Sequence, residues 1–194
     1  MYHAEVLVLA SQSPRRSELL RTAGFDFIVR VRPVEEVLGQ GENPVDYVRR
    51  LARAKAEASW ERDGEIVLGA DTTVVLGDRV LEKPVDAADA RAMLLSLSGE
   101  AHTVITGICL RHSAGRIIDY ESTQVHFTNL ETREIEDYVA SGEPMDKAGG
   151  YAIQGLASKF IDRIEGDYFN VMGLPLALVY RHWKSINTRP DLVR

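Results

Sequence analysis

Hydrophobic residues fall along this chain in short continuous runs and in helical stripes, separated by polar breaks. Val6 to Ala10 is an apolar run of the length of a buried strand. Ser13 followed by Pro14 starts a helix, with Ser as N-cap and Pro at the first helical position. Leu19, Leu20 and Ala23 continue that helix and Gly24 stops it. Asn43–Pro44 repeats the start signal, and Val48, Leu51, Ala52 and Ala58 predict a second helix reaching to about Trp60. Ile66 to Ala70 is a second buried strand. Thr72 to Leu76 extends it, Gly77–Asp78 turns the chain, and Arg79 to Glu82 returns as a hairpin. Asp86 caps a third helix with Ala90, Met93, Leu94 and Leu97 on its apolar face, ended by Ser98–Gly99. His102 to Leu110 and Ile117 to Thr128 read as strands around a turn at Ser113 to Gly115. Thr132 opens a short helix ending at Ser141–Gly142; Tyr151 to Gln154 and Phe160 to Ile164 read as short strands around Gly155; Pro175 to about Lys184 is the last helix.

Helices and strands therefore interleave, with hairpins inserted in the middle. The pattern predicts an α/β fold, a mixed sheet flanked by helices, without a regular βαβ winding. At 194 residues the chain is long enough for one domain with its own core, expected over 1–187, with a polar tail at 188–194 that frays.

Composition narrows the function. A single cysteine, Cys109, cannot form an internal bridge; it reads as a buried inert thiol and predicts a reducing, cytoplasmic setting. The apolar run near the start is too short for a signal-peptide core, and no stretch reaches membrane length, so a soluble protein is expected. A net charge of -6 argues against a nucleic-acid surface, yet a small anion needs only a local cluster of cations. The five histidines are scattered, without metal-ligand spacing or a triad.

Five segments carry candidate chemistry. Ser11-Gln12-Ser13-Pro14-Arg15-Arg16 joins a buried strand to a helix N-terminus, where free N–H groups attract anions. Two arginines there oppose the helix dipole at about 0.3–1 kcal/mol each, which points to a compensating anion over solvated side chains. Lys55 falls on the apolar side of its helix; alone it reads as a snorkelling lysine, and beside the arginines as a phosphate ligand. Asp71, in Gly69-Ala70-Asp71-Thr72-Thr73, ends an apolar strand where an acid is disfavoured, so it is a structural acceptor or, the favoured reading, a catalytic or metal-binding carboxylate. Glu82-Lys83-Pro84 reads from spacing alone as a plain turn. Residues 143–155 form a Gly- and Pro-containing loop able to approach a ligand, with Gln154 offering a donor and acceptors to a base edge; the simpler reading is a surface loop.

Taken together, these segments resemble the Maf family of nucleotide pyrophosphatases. The matching strings are Leu9 to Arg16, Gly69 to Thr72, Leu81 to Pro84, Ser98 to His102, Asp146 to Gly149, Ile153 to Gly155 and Asn170 to Pro175, in family order over nearly the whole chain. The resemblance implies an elongated, twisted mixed sheet like that of the inosine triphosphate pyrophosphatases, two lobes around a cleft, and a homodimer. It implies hydrolysis of a nucleoside triphosphate between the α and β phosphates with Mg²⁺ or Mn²⁺. By position, Asp71 is the expected proton acceptor, and Arg15, Thr72 and Gln154 set base preference, here of the dTTP and UTP type. Ser11, Ser13, Arg16, Lys55, Lys83 and Lys147 match phosphate-holding positions, and Glu36 matches an acid that helps Asp71 bind metal. Gln12 stands where the family often has a small residue, and Ala152 where Gly is common. The alternatives are a pyrophosphatase for 7-methyl-GTP and a nucleotide-binding regulator of cell division without turnover.

Overall fold

The computed structural model describes residues 6–187; the expected fraying at 188–194 lies outside them. In chain order the elements are β1 (Val6–Leu9), α1 (Pro14–Thr22), β2 (Phe27–Val29), α2 (Pro44–Ala58), β3 (Glu65–Leu76), β4 (Arg79–Leu81), α3 (Ala87–Leu97), β5 (Ala101–His112), β6 (Gly115–Phe127), α4 (Thr132–Ala140), β7 (Ile161–Glu165), α5 (Tyr168–Val171) and α6 (Leu176–Asn187). The caps explain several boundaries. Asn43 Oδ1 accepts from Val45 N at 2.9 Å and Asp86 Oδ1 from Asp89 N at 2.8 Å. Ser13 occupies the N-cap of α1, but its hydroxyl makes no capping bond. No helix among the described residues is long and apolar enough to cross a membrane.

The strands form one mixed seven-stranded sheet in the order β2-β1-β3-β5-β6-β7, with β4 attached to β3. β1 runs parallel to β2 and β3, and the other pairings are antiparallel. Because side chains alternate along a strand, β3 divides its residues between two faces. Ile66, Leu68 and Ala70 join Leu7, Leu9, Leu19, Leu20, Leu178 and Val179 in one core beneath α1 and α6. Val74, further along the same face, belongs to a second core with Leu94, Phe127, Tyr138 and Phe160. Thr72 lies between them. On the opposite face Val67 packs with Ala52 and Ala56 of α2. Two cores on one face therefore leave a polar gap between them, in keeping with two lobes around a cleft.

Two expectations need correction. Tyr151 to Gln154 is not a strand: Tyr151 is extended, the chain then turns, and a 3-10 helix covers Leu156–Phe160. The left-handed Gly149 and Gly150 turn the approach, and Gly155 N closes a local bond to Ala152 O at 3.0 Å, so no sheet partner is needed. β2, conversely, is a strand that the sequence pattern did not show; its Ile28 and Val29 are exposed, so it lacks the buried periodicity of a core strand.

Candidate active site

The sheet branches at β3. Its outer edge pairs with β1 over Glu65 to Leu68 and with β4 over Val74 to Leu76, so residues 69–73 have no strand beside them on that edge. A crevice at the carboxyl end of a parallel strand, where the sheet changes neighbours, is the usual ligand site of an open α/β sheet. Here it is a cleft of about 600 Å³, a size typical of small-molecule sites. Its walls bring together Ser11, Ser13, Arg15 and Arg16 from the β1–α1 junction, Glu36, Lys55 from α2, Asp71 and Thr72 from β3, Lys83 after β4, and Lys147 and Gln154 from the loop before β7. Arg15, Arg16, Arg32, Lys55, Lys83 and Lys147 face Glu36, Asp71, Glu82 and Asp146 there, a surplus of cations in a chain whose net charge is -6.

Asp71 reaches this cleft because α2 lies unusually close to the sheet. A Cβ at Gly69 would stand 2.1 Å from the Ala52 carbonyl oxygen, and one at Gly107 2.5 Å from that of Val48. With no side chains there, the backbone of α2 approaches β3 and β5 directly, and Lys55 Nζ comes within 2.7 Å of Asp71 Oδ1. The same ammonium is 2.8 Å from Glu36 Oε1. Burial raises the Asp71 pKa above the ordinary carboxylate range, opposed by Lys55 and then Arg16. Burial also works against ionised Glu36, but the Lys55 bond prevails and its pKa is lowered. Lys55 occupies Oδ1 of Asp71, which leaves Oδ2 to meet a water molecule.

Arg16 is buried rather than extended into solvent. Its Nε donates to Gly173 O at 2.8 Å, Nη1 to Ser11 Oγ at 3.0 Å and Ala70 O at 2.9 Å, and Nη2 to Thr72 Oγ1 at 3.0 Å. Four of its five N–H groups are thus engaged within the protein. Thr72 Oγ1 lies 2.9 Å from Thr106 Oγ1, so its hydroxyl is turned into the fold as well.

The loop wall is braced on itself. Lys147 Nζ donates to Glu143 O at 2.6 Å and to Asp146 Oδ1 at 2.5 Å, and Asp146 also lies 3.6 Å from Arg15. Behind it Tyr151 OH meets buried His102 Nε2 at 2.7 Å, and both rings stack edge-on with Phe127. Gln154, one turn further on, is exposed at the mouth of the cleft. Arg32 and Tyr47 line the site without having been singled out from the sequence. Tyr47 donates to Glu82 Oε1 at 3.2 Å, and Glu82 sits in a string that spacing alone gives as a turn.

Among the described residues no three His, Cys, Asp or Glu side chains converge on one point. Mg²⁺ does not require such a cage, since one or two carboxylates plus substrate phosphate oxygens suffice. The hard oxygen donors of Glu36, Asp71 and Glu82 on one cleft fit that class of ion.

A family model described as Maf-like protein matches residues 6–186. A dTTP/UTP pyrophosphatase of Koribacter versatilis is 52% identical over 176 residues, covering 90% of this chain and 91% of that protein. One of Anaeromyxobacter dehalogenans is 51% identical over 175 residues, 88% and 89% of the two chains, and one of Bacillus cytotoxicus 47% over 182 residues, 93% and 95%. A solved dITP/XTP pyrophosphatase from Mycobacterium abscessus, at 14% identity and a TM-score of 0.42 over 95% of this chain and 98% of its own, is too distant to add to this. Matched from β1 into α6 and about half identical to several of its members, the chain belongs to the Maf-like family.

Proposed function

We propose that this chain hydrolyses nucleoside triphosphates, dTTP and UTP foremost, to the monophosphate and pyrophosphate. The observation that carries the reading is the buried Asp71–Lys55 pair in a cation-rich cleft. Its support is the near-half identity to relatives named dTTP/UTP pyrophosphatase. The polyphosphate is met by Arg15, Lys83 and Lys147 and by the uncapped N–H groups of α1, with Ser11 and Ser13 beside them. Asp71 Oδ2 takes a proton from a water as its oxygen bonds to the α-phosphorus. The bond from that phosphorus to the bridging oxygen breaks, and its electron pair leaves on pyrophosphate. Burial raises the Asp71 pKa, which makes it a stronger base than a solvated carboxylate, and the Lys55 ammonium opposes that shift by favouring the carboxylate form. The protein's part is chiefly electrostatic: fixed cations stand where charge develops. Held by Glu36, Asp71 or Glu82, a Mg²⁺ or Mn²⁺ ion would screen the phosphates and acidify water.

Base choice rests on Arg15, Thr72 and Gln154. Gln154 presents both amide polarities to the polar edge of a pyrimidine, and a site that pairs such an edge rejects bases that leave it unpaired. Thr72, its hydroxyl committed to Arg16 and Thr106, contributes through the shape of the floor and its remaining lone pair. The family resemblance further supports a cytoplasmic homodimer. Pyrophosphate release from a panel of triphosphates, with Mg²⁺ and with Mn²⁺, tests the reading: fast cleavage of dTTP and UTP with little on purines is expected. Purine or 7-methyl-GTP cleavage in their place removes the specificity assignment, and no release from any nucleotide removes the enzyme.

A further inference from the structure

The hydrogen bonds around Arg16 form a directed chain, and their directions follow from counting protons. Thr106 Oγ1 is 3.1 Å from the Asn170 carbonyl oxygen, which can only accept, so the single Thr106 hydroxyl proton points there. Thr106 therefore accepts from Thr72 across the 2.9 Å pair of facing strands. Thr72 in turn accepts from Arg16 Nη2. The far end is anchored, since the buried Asn170 side chain donates to Val104 O and to Thr123 Oγ1, each at 3.0 Å. At the near end Arg16 grips the residues on both sides of Asp71: the carbonyl of Ala70 and the hydroxyl of Thr72. Ala70 O lies on the stretch of β3 that no strand covers, so without Arg16 that carbonyl has no partner from the sheet.

We propose that Arg16 is a positioning residue for Asp71, and that Thr106 and Asn170 are positioning residues for Arg16. Their chain replaces the missing strand along residues 69–73 and fixes the carboxylate at the open edge. The polyphosphate is left to Arg15, Lys83 and Lys147. This inference rests on the proposed hydrolysis for its kinetic consequences but not for its geometry.

Thr106→Val keeps the shape and removes the hydroxyl. It leaves the Asn170 carbonyl with only its bond from Gly173 N at 2.9 Å, and the Thr72 proton with only the 3.4 Å contact to Gly173 O. The expected result is a fall in kcat for dTTP of about 10- to 100-fold, the scale of a displaced catalytic group. KM, and the Kd of α,β-methylene-dTTP measured by calorimetry, should stay within about threefold, because ground-state binding is untouched. Thr106→Ser, which restores the hydroxyl, should recover most of kcat. A folded Thr106→Val protein with wild-type kcat, or a loss appearing mainly in KM and Kd, would overturn the proposal. Arg16→Lys covers the case in which Thr106→Val does not fold. A lysine retains the charge a phosphate needs but cannot make four directed bonds, so near-normal turnover in that variant also overturns it. Amide hydrogen exchange over residues 70–73 reads the clamp without turnover. Exchange should quicken about tenfold or more in Arg16→Lys. Unchanged exchange there defeats the clamp even if the wild type cleaves no nucleotide, an outcome that by itself would defeat only the hydrolysis.

Discussion

Lys55 shows how much one side chain can carry, because its ammonium serves two carboxylates, buried Asp71 and exposed Glu36. Lys55→Gln leaves Asp71 buried beside a neutral group. Breaking such a pair from one side costs about 3 kcal/mol, which urea melts should show, and pyrophosphate release should fall by about 100-fold as the base loses the ammonium that orients it and favours its carboxylate form. Gln at 55 with wild-type stability and rate would place the pair outside the mechanism. His102 gives a second residue-scale expectation. Burial lowers its pKa from 6.5 to about 4, so it stays neutral in the fold while the unfolded chain binds a proton between those values. Its contribution is complete above pH 6.5 and is lost as pH falls toward 4, by about 3 kcal/mol in all. The unfolding free energy of His102→Gln should decline less steeply over that window, and equal slopes would contradict this. The site residues expected from the sequence line the cleft: Ser11, Ser13, Arg15, Arg16, Lys55, Asp71 and Gln154 stand out as polar or charged side chains at a helix start, on an apolar strand or helix face, or in a tight loop, whereas Glu36 and Lys83 are indicated only by the family resemblance. What local pattern could not show is which of them face inward. Arg16 and Arg15 are adjacent and alike in sequence, yet one is buried in four hydrogen bonds and the other lies beside exposed Asp146. Thr106 and Asn170 join the network through contacts across the sheet, to which no spacing corresponds.

At the scale of elements, the decisive contact is α2 against β3 and β5. Gly69 and Gly107 are invisible to hydrophobic periodicity, where a glycine within a strand reads as a weakness or a bulge. In the structure they are where the helix backbone seats itself. Gly69→Ala should force α2 outward, lower stability by about 1–3 kcal/mol or more, and lower kcat by separating Lys55 from Asp71. Thermal melts and pyrophosphate release read the two together, and an alanine tolerated in both would show that the helix can shift without moving the site. The main helices and long strands follow the apolar pattern because each buries a clear face. Two short pieces do not. Tyr151 to Gln154 is apolar enough for a strand, but its buried Tyr151 ring packs on His102 and Phe127 instead of entering the sheet. β2 is too exposed to carry a periodic signal.

At the scale of the molecule, the branch in the sheet creates both the two cores and the open edge between them, and the site follows from that topology. The α/β class was legible in the interleaving of elements. The branch was not, since it depends on β1 and β4 sharing one edge of β3. Charge is distributed on the same plan, with cations gathered in the cleft of an acidic chain. KM for a triphosphate should therefore rise as salt is raised from about 0.01 to 0.15 M, where the Debye length shrinks from about 30 to 8 Å; a salt-independent KM would mean that the cleft cations stay paired with their own carboxylates. The central claim is that Asp71 is the base of a nucleotide pyrophosphatase. Its most direct test is pyrophosphate release from dTTP by the wild type and by Asp71→Asn, with dTTP affinity measured on both. The account predicts rapid release by the wild type, a loss of about 100-fold or more in the variant, and affinity retained. Near-normal release by Asp71→Asn would contradict it.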